Sequence, residues 1–340
     1  MTTPASGPES DASTDPPAAD PAGARPGASV FTIEGRPAPA LFVVGWLASL
    51  VGLGLVAIAI LARGGLASTA MLLAGLALLS IGLIAAAGSQ GIERRARAMA
   101  AYAGPSPLLV FAASIPVSIL ILVIIALPLD ALGVALDGPL GSLLSVAVQA
   151  VAYIGLIRLL VVDTGALDWL AMGVRRLDLA AFGEMAGGAL WAIPVIVLTG
   201  PILAILLTVF PVTPQSPLPP AGSATGFALL IFAGVLVAPL GEEVLFRAFA
   251  TTAWVRGLGV RGGVVRAAVV FAFAHILTIS GSSAGDAIGL AVVGFASRLP
   301  IALALGLLFV RRGTVWSAFG LHAAFNLVLL VAAEAANRTF

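Results

Sequence analysis

Residues Gly226 to Leu240 read GFALLIFAGVLVAPL and carry no charge, and the next nine, Gly241 to Phe249, read GEEVLFRAF. The first run suits hydrocarbon, and the second places two carboxylates and a guanidinium directly after it. Whether those charges stand at the edge of a membrane or inside it decides how the whole chain is read. Composition establishes the membrane. The chain has 340 residues, of which 60% are hydrophobic and 10% charged, and its mean hydropathy is +1.12, beyond what a soluble domain tolerates. Apolar runs long enough to cross ~30 Å of hydrocarbon, which takes ~20 helical residues, recur at 39–62, 66–88, 107–129, 139–162, 186–210, 225–250, 264–280, 287–310 and 314–333. The expected fold is an all-α polytopic membrane protein of eight to nine transmembrane helices. In an eight-span version the missing pass falls in the first hairpin or around 139–162.

Ahead of these runs, residues 1–38 are rich in Pro, Ala, Gly, Ser and Asp. That composition cannot bury enough apolar surface to order itself, and a disordered tail is expected. It lacks the basic stretch followed by an apolar core that marks a signal peptide. The chain has no cysteine, which excludes disulfides and thiolate chemistry. All 17 of its basic residues are arginine, and a net charge of +1 offers no basic face for nucleic acid.

The arginines orient the chain. Cytoplasmic loops carry the excess of positive charge, and with the N-terminus inside, the even connections hold Arg94, Arg95 and Arg97, then Arg175 and Arg176, then Arg256 and Arg261, then Arg311 and Arg312. The odd connections hold Asp130, Asp137, an uncharged proline-rich loop and Asp286, with Arg63 the exception. Nine spans with a cytoplasmic N-terminus is therefore self-consistent.

Ionisable groups inside a bilayer cost ~2.5–3.5 kcal/mol on insertion scales and point to function. Glu242, Glu243 and Arg247 fall in the sixth run, His275 in the seventh, and His322 with Asn326 in the ninth; the two histidines are the only ones in the chain. With a rise of ~1.5 Å per residue, Glu242 lies ~12 Å from the cytoplasmic end of its span, His275 ~16 Å, His322 ~12 Å and Asn326 ~18 Å. One carboxylate, two imidazoles and an amide thus converge in the cytoplasmic half of the membrane. Glu243 and Arg247 are i,i+4 and share a helix face, in the favourable order of charges. Glu242 has Phe246 at i+4 and is left free for chemistry. His322 and Asn326 are also i,i+4, which brings an imidazole and a hydrogen-bond donor into one cavity. Such a set can deprotonate a water and polarise a carbonyl, the equipment of amide hydrolysis without a protein nucleophile.

EEVLFR fits EExxxR, FAFAH (Phe271 to His275) fits FxxxH, and HAAFN fits HxxxN, in order and in successive apolar segments. On these motifs the chain resembles the CAAX protease and bacteriocin-processing (CPBP, or Abi) family of intramembrane endopeptidases, which includes the type II CAAX prenyl endopeptidases. The resemblance covers residues 225–333 and implies a C-terminal intramembrane protease core, with 39–210 as an extra layer of transmembrane helices. It also implies roles: Glu242 and His275 activate the attacking water, His322 and Asn326 form the oxyanion hole, and Glu243 with Arg247 support the site, with Phe271 as packing. Such enzymes have been read both as glutamate-dependent and as metalloproteases. Glu242, His275 and His322 could supply oxygen and nitrogen ligands to a divalent metal such as zinc, although HExxH is absent. The implied partners are the lipid bilayer and a peptide or protein substrate, lipid-modified in eukaryotic relatives. The tail and the all-arginine usage suggest a bacterial plasma-membrane protein.

The competing class is a non-enzyme: a transporter or bacteriocin-immunity-type protein in which the same residues handle protons or ions. A transporter predicts repeat symmetry, and the first half holds no second copy of the motifs. Arg298, mid-run beside Pro300, reads equally well as a structural pair or a substrate contact. The string GSSAG (Gly281 to Gly285) formally fits GxSxG, but a nucleophile elbow needs a strand before it, and here a short loop joins two spans.

Overall fold

The computed structural model describes residues 32–33, 36–37, 39–62, 64–97, 101–213 and 218–339. Most of the expected tail and Arg63 lie outside them. Of 1–38 the described part is a minimal antiparallel pair, β1 (Thr32–Ile33) and β2 (Arg36–Pro37). Everything after it is helical: α1 (Pro39–Leu61), α2 (Leu66–Ala96), α3 (Pro107–Ala131), α4 (Pro139–Ile157, prolonged by a π-turn to Val162), α5 (Leu179–Ala189), α6 (Ala192–Val209), α7 (224–258), α8 (260–274), α9 (Ala284–Arg312) and α10 (Val315–Thr339).

Eight stretches among the described residues are long and apolar enough to cross a membrane. The longest, Ala224–Ala274, has 51 residues, about twice what a bilayer needs. It is two helices. Gly259 has φ 72° and ψ 173°, a conformation that side-chain-bearing residues avoid, and the chain folds back there. A Cβ on Gly263 would lie 2.7 Å from the backbone nitrogen of Val255. Beyond it Trp254 packs with Ala250 and Ala267, and Phe246 meets Phe271 at 5.2 Å between ring centres. With α7 and α8 counted apart and the α5–α6 stretch as one, the described residues form nine apolar segments.

Two boundaries differ from the sequence reading. The fifth run begins earlier, with α5 at Leu179, and is interrupted between Ala189 and Ala192. The seventh ends earlier: α8 stops at Ala274, and His275 caps it instead of lying mid-span. At ~1.5 Å per residue, residues 260–274 reach about 22 Å, short of a full crossing. Residues 275–283 continue as a turn and loop, held by single bonds from Ile276 N–H to the Phe273 carbonyl and from Ile279 N–H to the Ile276 carbonyl. The GSSAG string forms the start of α9, where Ser283 Oγ accepts from the Asp286 N–H and Asp286 accepts from Ser282; this is N-capping.

α7 is not a regular α-helix. Phe232–Val237 and Glu243–Thr251 are π-helical, a widening that recurs at functional sites. Pro239 gives a cause for the first. It has no N–H and its ring clashes with the carbonyl four residues back, so the α-ladder cannot pass through it. In the second, Thr251 Oγ donates to the Phe246 carbonyl at 2.7 Å, five residues back.

The N-terminal helices pack directly on this segment. Phe111 of α3 meets Phe246 at 5.7 Å between ring centres, Tyr102 meets Phe249 at 6.3 Å, and a Cβ on Gly241 would lie 2.8 Å from Cα of Ala150 in α4. Tyr102, in the loop before α3, donates to the Pro105 carbonyl at 2.9 Å, and burial pushes its phenol well above the ordinary tyrosine range. One apolar core therefore runs from Ala87 through Val315. α10 is braced from its other side: Gly188 of α5 faces the Ser317 carbonyl and Gly320 faces that of Met185, with no room for a Cβ at either glycine, the small-residue contact that lets membrane helices touch backbone to backbone.

Candidate active site

Glu242 and Glu243 sit at the junction of the short α-turn Ala238–Glu242 and the second π-stretch, and their surroundings are opposite. The Glu243 side chain is 0% exposed and that of Arg247 1%, with Arg247 Nη1 3.2 Å from Glu243 Oε1. The guanidinium also lies 4.2 Å from the centre of the Phe271 ring, and its Nη2 donates weakly to the Ala302 carbonyl at 3.5 Å. A fully buried charge is tolerable only when compensated in this way. Besides this ion pair, Glu243 Oε1 accepts a hydrogen bond from His322 Nδ1 at 2.7 Å. The inner carboxylate thus neutralises an arginine and aims an imidazole.

Glu242 is 15% exposed, and its Oε2 is 3.7 Å from His275 Nε2 and 3.8 Å from His322 Nε2. Those distances are too long for direct hydrogen bonds, and Oε2 has no hydrogen-bond partner. Three helices of separate origin deliver these atoms: α7, the end of α8, and α10 two turns in. Residues far apart in sequence are thereby brought within 3.7–3.8 Å of one carboxylate oxygen.

The tautomers follow from the partners. His275 Nδ1 lies 2.8 Å from the Phe271 carbonyl; a carbonyl only accepts, so Nδ1 carries the proton. His322 Nδ1 likewise donates to Glu243. In the neutral rings both Nε2 atoms are therefore lone pairs facing Glu242 Oε2. Phe271 packs more extensively than the sequence indicated: its ring lies 4.4 Å from that of His275 and 5.7 Å from that of His322, besides carrying Arg247.

Asn326 is placed with His322, but it has an additional task. Its Nδ2 donates to the Gly234 carbonyl at 2.8 Å. In the π-stretch the Ala238 N–H bonds to the Ala233 carbonyl, so the next rung would join residue 239 to Gly234. Residue 239 is proline and has no N–H. Asn326 supplies the missing donor, which fixes its amide and leaves one N–H for other use.

Two residues outside the motifs come within electrostatic reach of Glu242: Tyr153 of α4 and Arg298 of α9. Tyr153 gave no signal in sequence because its relevance depends on how α4 packs against α7. Among the described residues, no group of three or more His, Cys, Asp or Glu side chains is closed into a metal-holding cluster.

The family described as Type II CAAX prenyl endopeptidase Rce1-like matches residues 224–328. The match agrees with the family resemblance that the three motifs carry. It holds α7, α8, α9 and the part of α10 that carries His322 and Asn326. No curated protein and no solved structure matches the chain.

Proposed function

We propose that the chain is an intramembrane endopeptidase that hydrolyses a peptide bond through a water activated by Glu242. The observation that carries this reading is the unpartnered Glu242 Oε2 facing two imidazole lone pairs across 3.7 and 3.8 Å, a gap that suits a bound water. Glu242, assisted by His275, takes a proton as the water oxygen attacks the scissile carbonyl carbon. The C–N bond then breaks as Glu242 returns that proton to the leaving amine. Asn326 offers its second N–H to the tetrahedral oxyanion. His322 can donate to it only when doubly protonated, with Glu243 as counter-ion. Glu243, Arg247 and Phe271 hold the geometry and do not touch substrate. With arginines at alternate connections, the N-terminus lies in the cytoplasm and the site in the cytoplasmic half of a bacterial plasma membrane; the substrate is a peptide or protein, with a lipid-modified one the natural first candidate.

A second reading has its own support. Metal-binding histidines almost always give their other ring N–H to a carboxylate or carbonyl, as both do here, and one carboxylate with two imidazoles is a zinc-type donor set. Glu242, His275 and His322 would hold the ion. When bound, such an ion would supply Lewis acidity to a water at this point.

Cleavage of prenylated and unprenylated peptides in nanodiscs by wild type and Glu242→Gln, with and without chelator, tests both readings. Cleavage by wild type only, unaffected by chelator, is the expected result. Loss with chelator and recovery with zinc would transfer the mechanism to the metal, and equal cleavage by Glu242→Gln would remove Glu242 from the chemistry.

A further inference from the structure

Arg298 is the 15th residue of the 29-residue helix α9, some 20 Å from either end by the α-helical rise. A cation at that depth is expensive and is normally paired. The contrast with Arg247 is direct. Arg247 is sealed against Glu243 and Phe271, whereas Arg298 has no acidic side chain within ion-pair distance among the described residues. Among the described residues its one hydrogen bond runs from Nη1 to the Gly294 carbonyl of its own helix, at 2.9 Å. The side chain is half-buried, and none of its nitrogens is sealed away without a partner.

Its head group lies near the segment that follows His275. A Cβ placed on Gly294 would meet Arg298 Nη1 at 3.3 Å, Ile276 Cγ2 at 3.5 Å and Ile279 Cδ1 at 3.0 Å. The guanidinium therefore occupies a niche that exists because residue 294 has no side chain, beside the turn that follows His275. It lies within coulombic range of Glu242 and His275, yet no bond joins it to either. An unspent, planar, two-pronged donor next to a water-activating carboxylate suits a ligand that is itself a carboxylate.

We propose that Arg298 is a substrate-binding residue whose guanidinium pairs with a carboxylate carried by the bound peptide. This rests on the peptidase reading for its biological meaning, but the binding it predicts can be measured without hydrolysis. Three fluorescent peptides are compared on Glu242→Gln protein in nanodiscs: one with a free C-terminal carboxylate, the same sequence amidated, and the amidated sequence with one residue near its end replaced by glutamate. The same series is run on Glu242→Gln/Arg298→Gln and Glu242→Gln/Arg298→Lys. The free-acid peptide is expected to bind at least about 10-fold more tightly than the amide, the scale of one charge-assisted contact. The ratio should fall to about 1 with Arg298→Gln and survive in part with Arg298→Lys. Tight binding of the glutamate peptide alone would name the acidic side chain as the source of the carboxylate. Equal affinities for all three, no binding of any, or discrimination that persists in Arg298→Gln would overturn the proposal. Arg298-dependent discrimination in a protein whose wild type cleaves nothing would retain this site and remove the hydrolysis, while cleavage with carboxylate-blind binding would do the reverse.

Discussion

Between α1 and α2 the two backbones come together on glycine: a Cβ on Gly52 or on Gly82 would lie 2.4 Å from a backbone nitrogen of the opposite helix. Apart from hydroxyls such as Ser68, which donates to the Ala59 carbonyl, that contact is van der Waals packing. Around Glu243 the helices α7, α8 and α10 are joined by a buried ion pair, an imidazole and an aromatic ring. Both regions come from similarly apolar sequence. In lipid there is no hydrophobic drive to bring helices together, so each must find another attraction. The hairpin uses close approach, which tolerates lateral adjustment, whereas the site uses charges in low dielectric, which fix positions and penalise loss of either partner.

This contrast can be broken or sharpened by mutation. The largest effect belongs to Glu242→Gln, which should lower peptide cleavage by ~10²–10⁴-fold, the span of a lost general base, with an unchanged melting temperature. A coincident drop in melting temperature would mean that Glu242 is as structural as Glu243. Arg247→Ala leaves Glu243 buried beside one weaker partner and should cost about 3–5 kcal/mol, read as reduced thermal survival in detergent; wild-type survival would show that the pair is dispensable. Gly82→Val forces α1 from α2 and should cost about 1–3 kcal/mol of overpacking while turnover per folded molecule stays near wild type, so a matching loss of turnover would join the hairpin to the site. Phe271→Leu removes the ring above Arg247, worth up to about 2 kcal/mol when desolvated, and releases both imidazoles, so turnover should fall more than stability. The smallest effect is that of Arg97→Ala. Its pair with Glu93 is exposed, and the loss should stay within about 0–1 kcal/mol.

Much of this was legible in the sequence because a membrane span converts residue number into depth. Counting from the arginine-bearing ends brought Glu242, His275 and His322 to one level, and the i,i+4 spacing of Glu243 and Arg247 gave their pairing. Local register was less accessible. A π-turn has no periodic signature, although Pro239 within an apolar run was its visible cause. The bond from Asn326 to Gly234 follows only once that register is known. Tyr153 and the lateral approach of α4 depend on tertiary packing, and the early end of α8 depends on His275 bonding back to Phe271, a choice that an apolar run of FAFAHILTI does not reveal.

The short reach of α8 has one more consequence. On the span reading, residues 275–283 leave the helical ladder before the crossing is complete, where lipid offers no hydrogen bonds and irregular backbone is tolerated only against protein or a water-filled cavity. On the proposed mechanism, water that solvates those amides would stand beside His275 and Glu242. Under the proposed mechanism the truncated helix would be the place where hydrating the fold and supplying the hydrolytic reagent coincide.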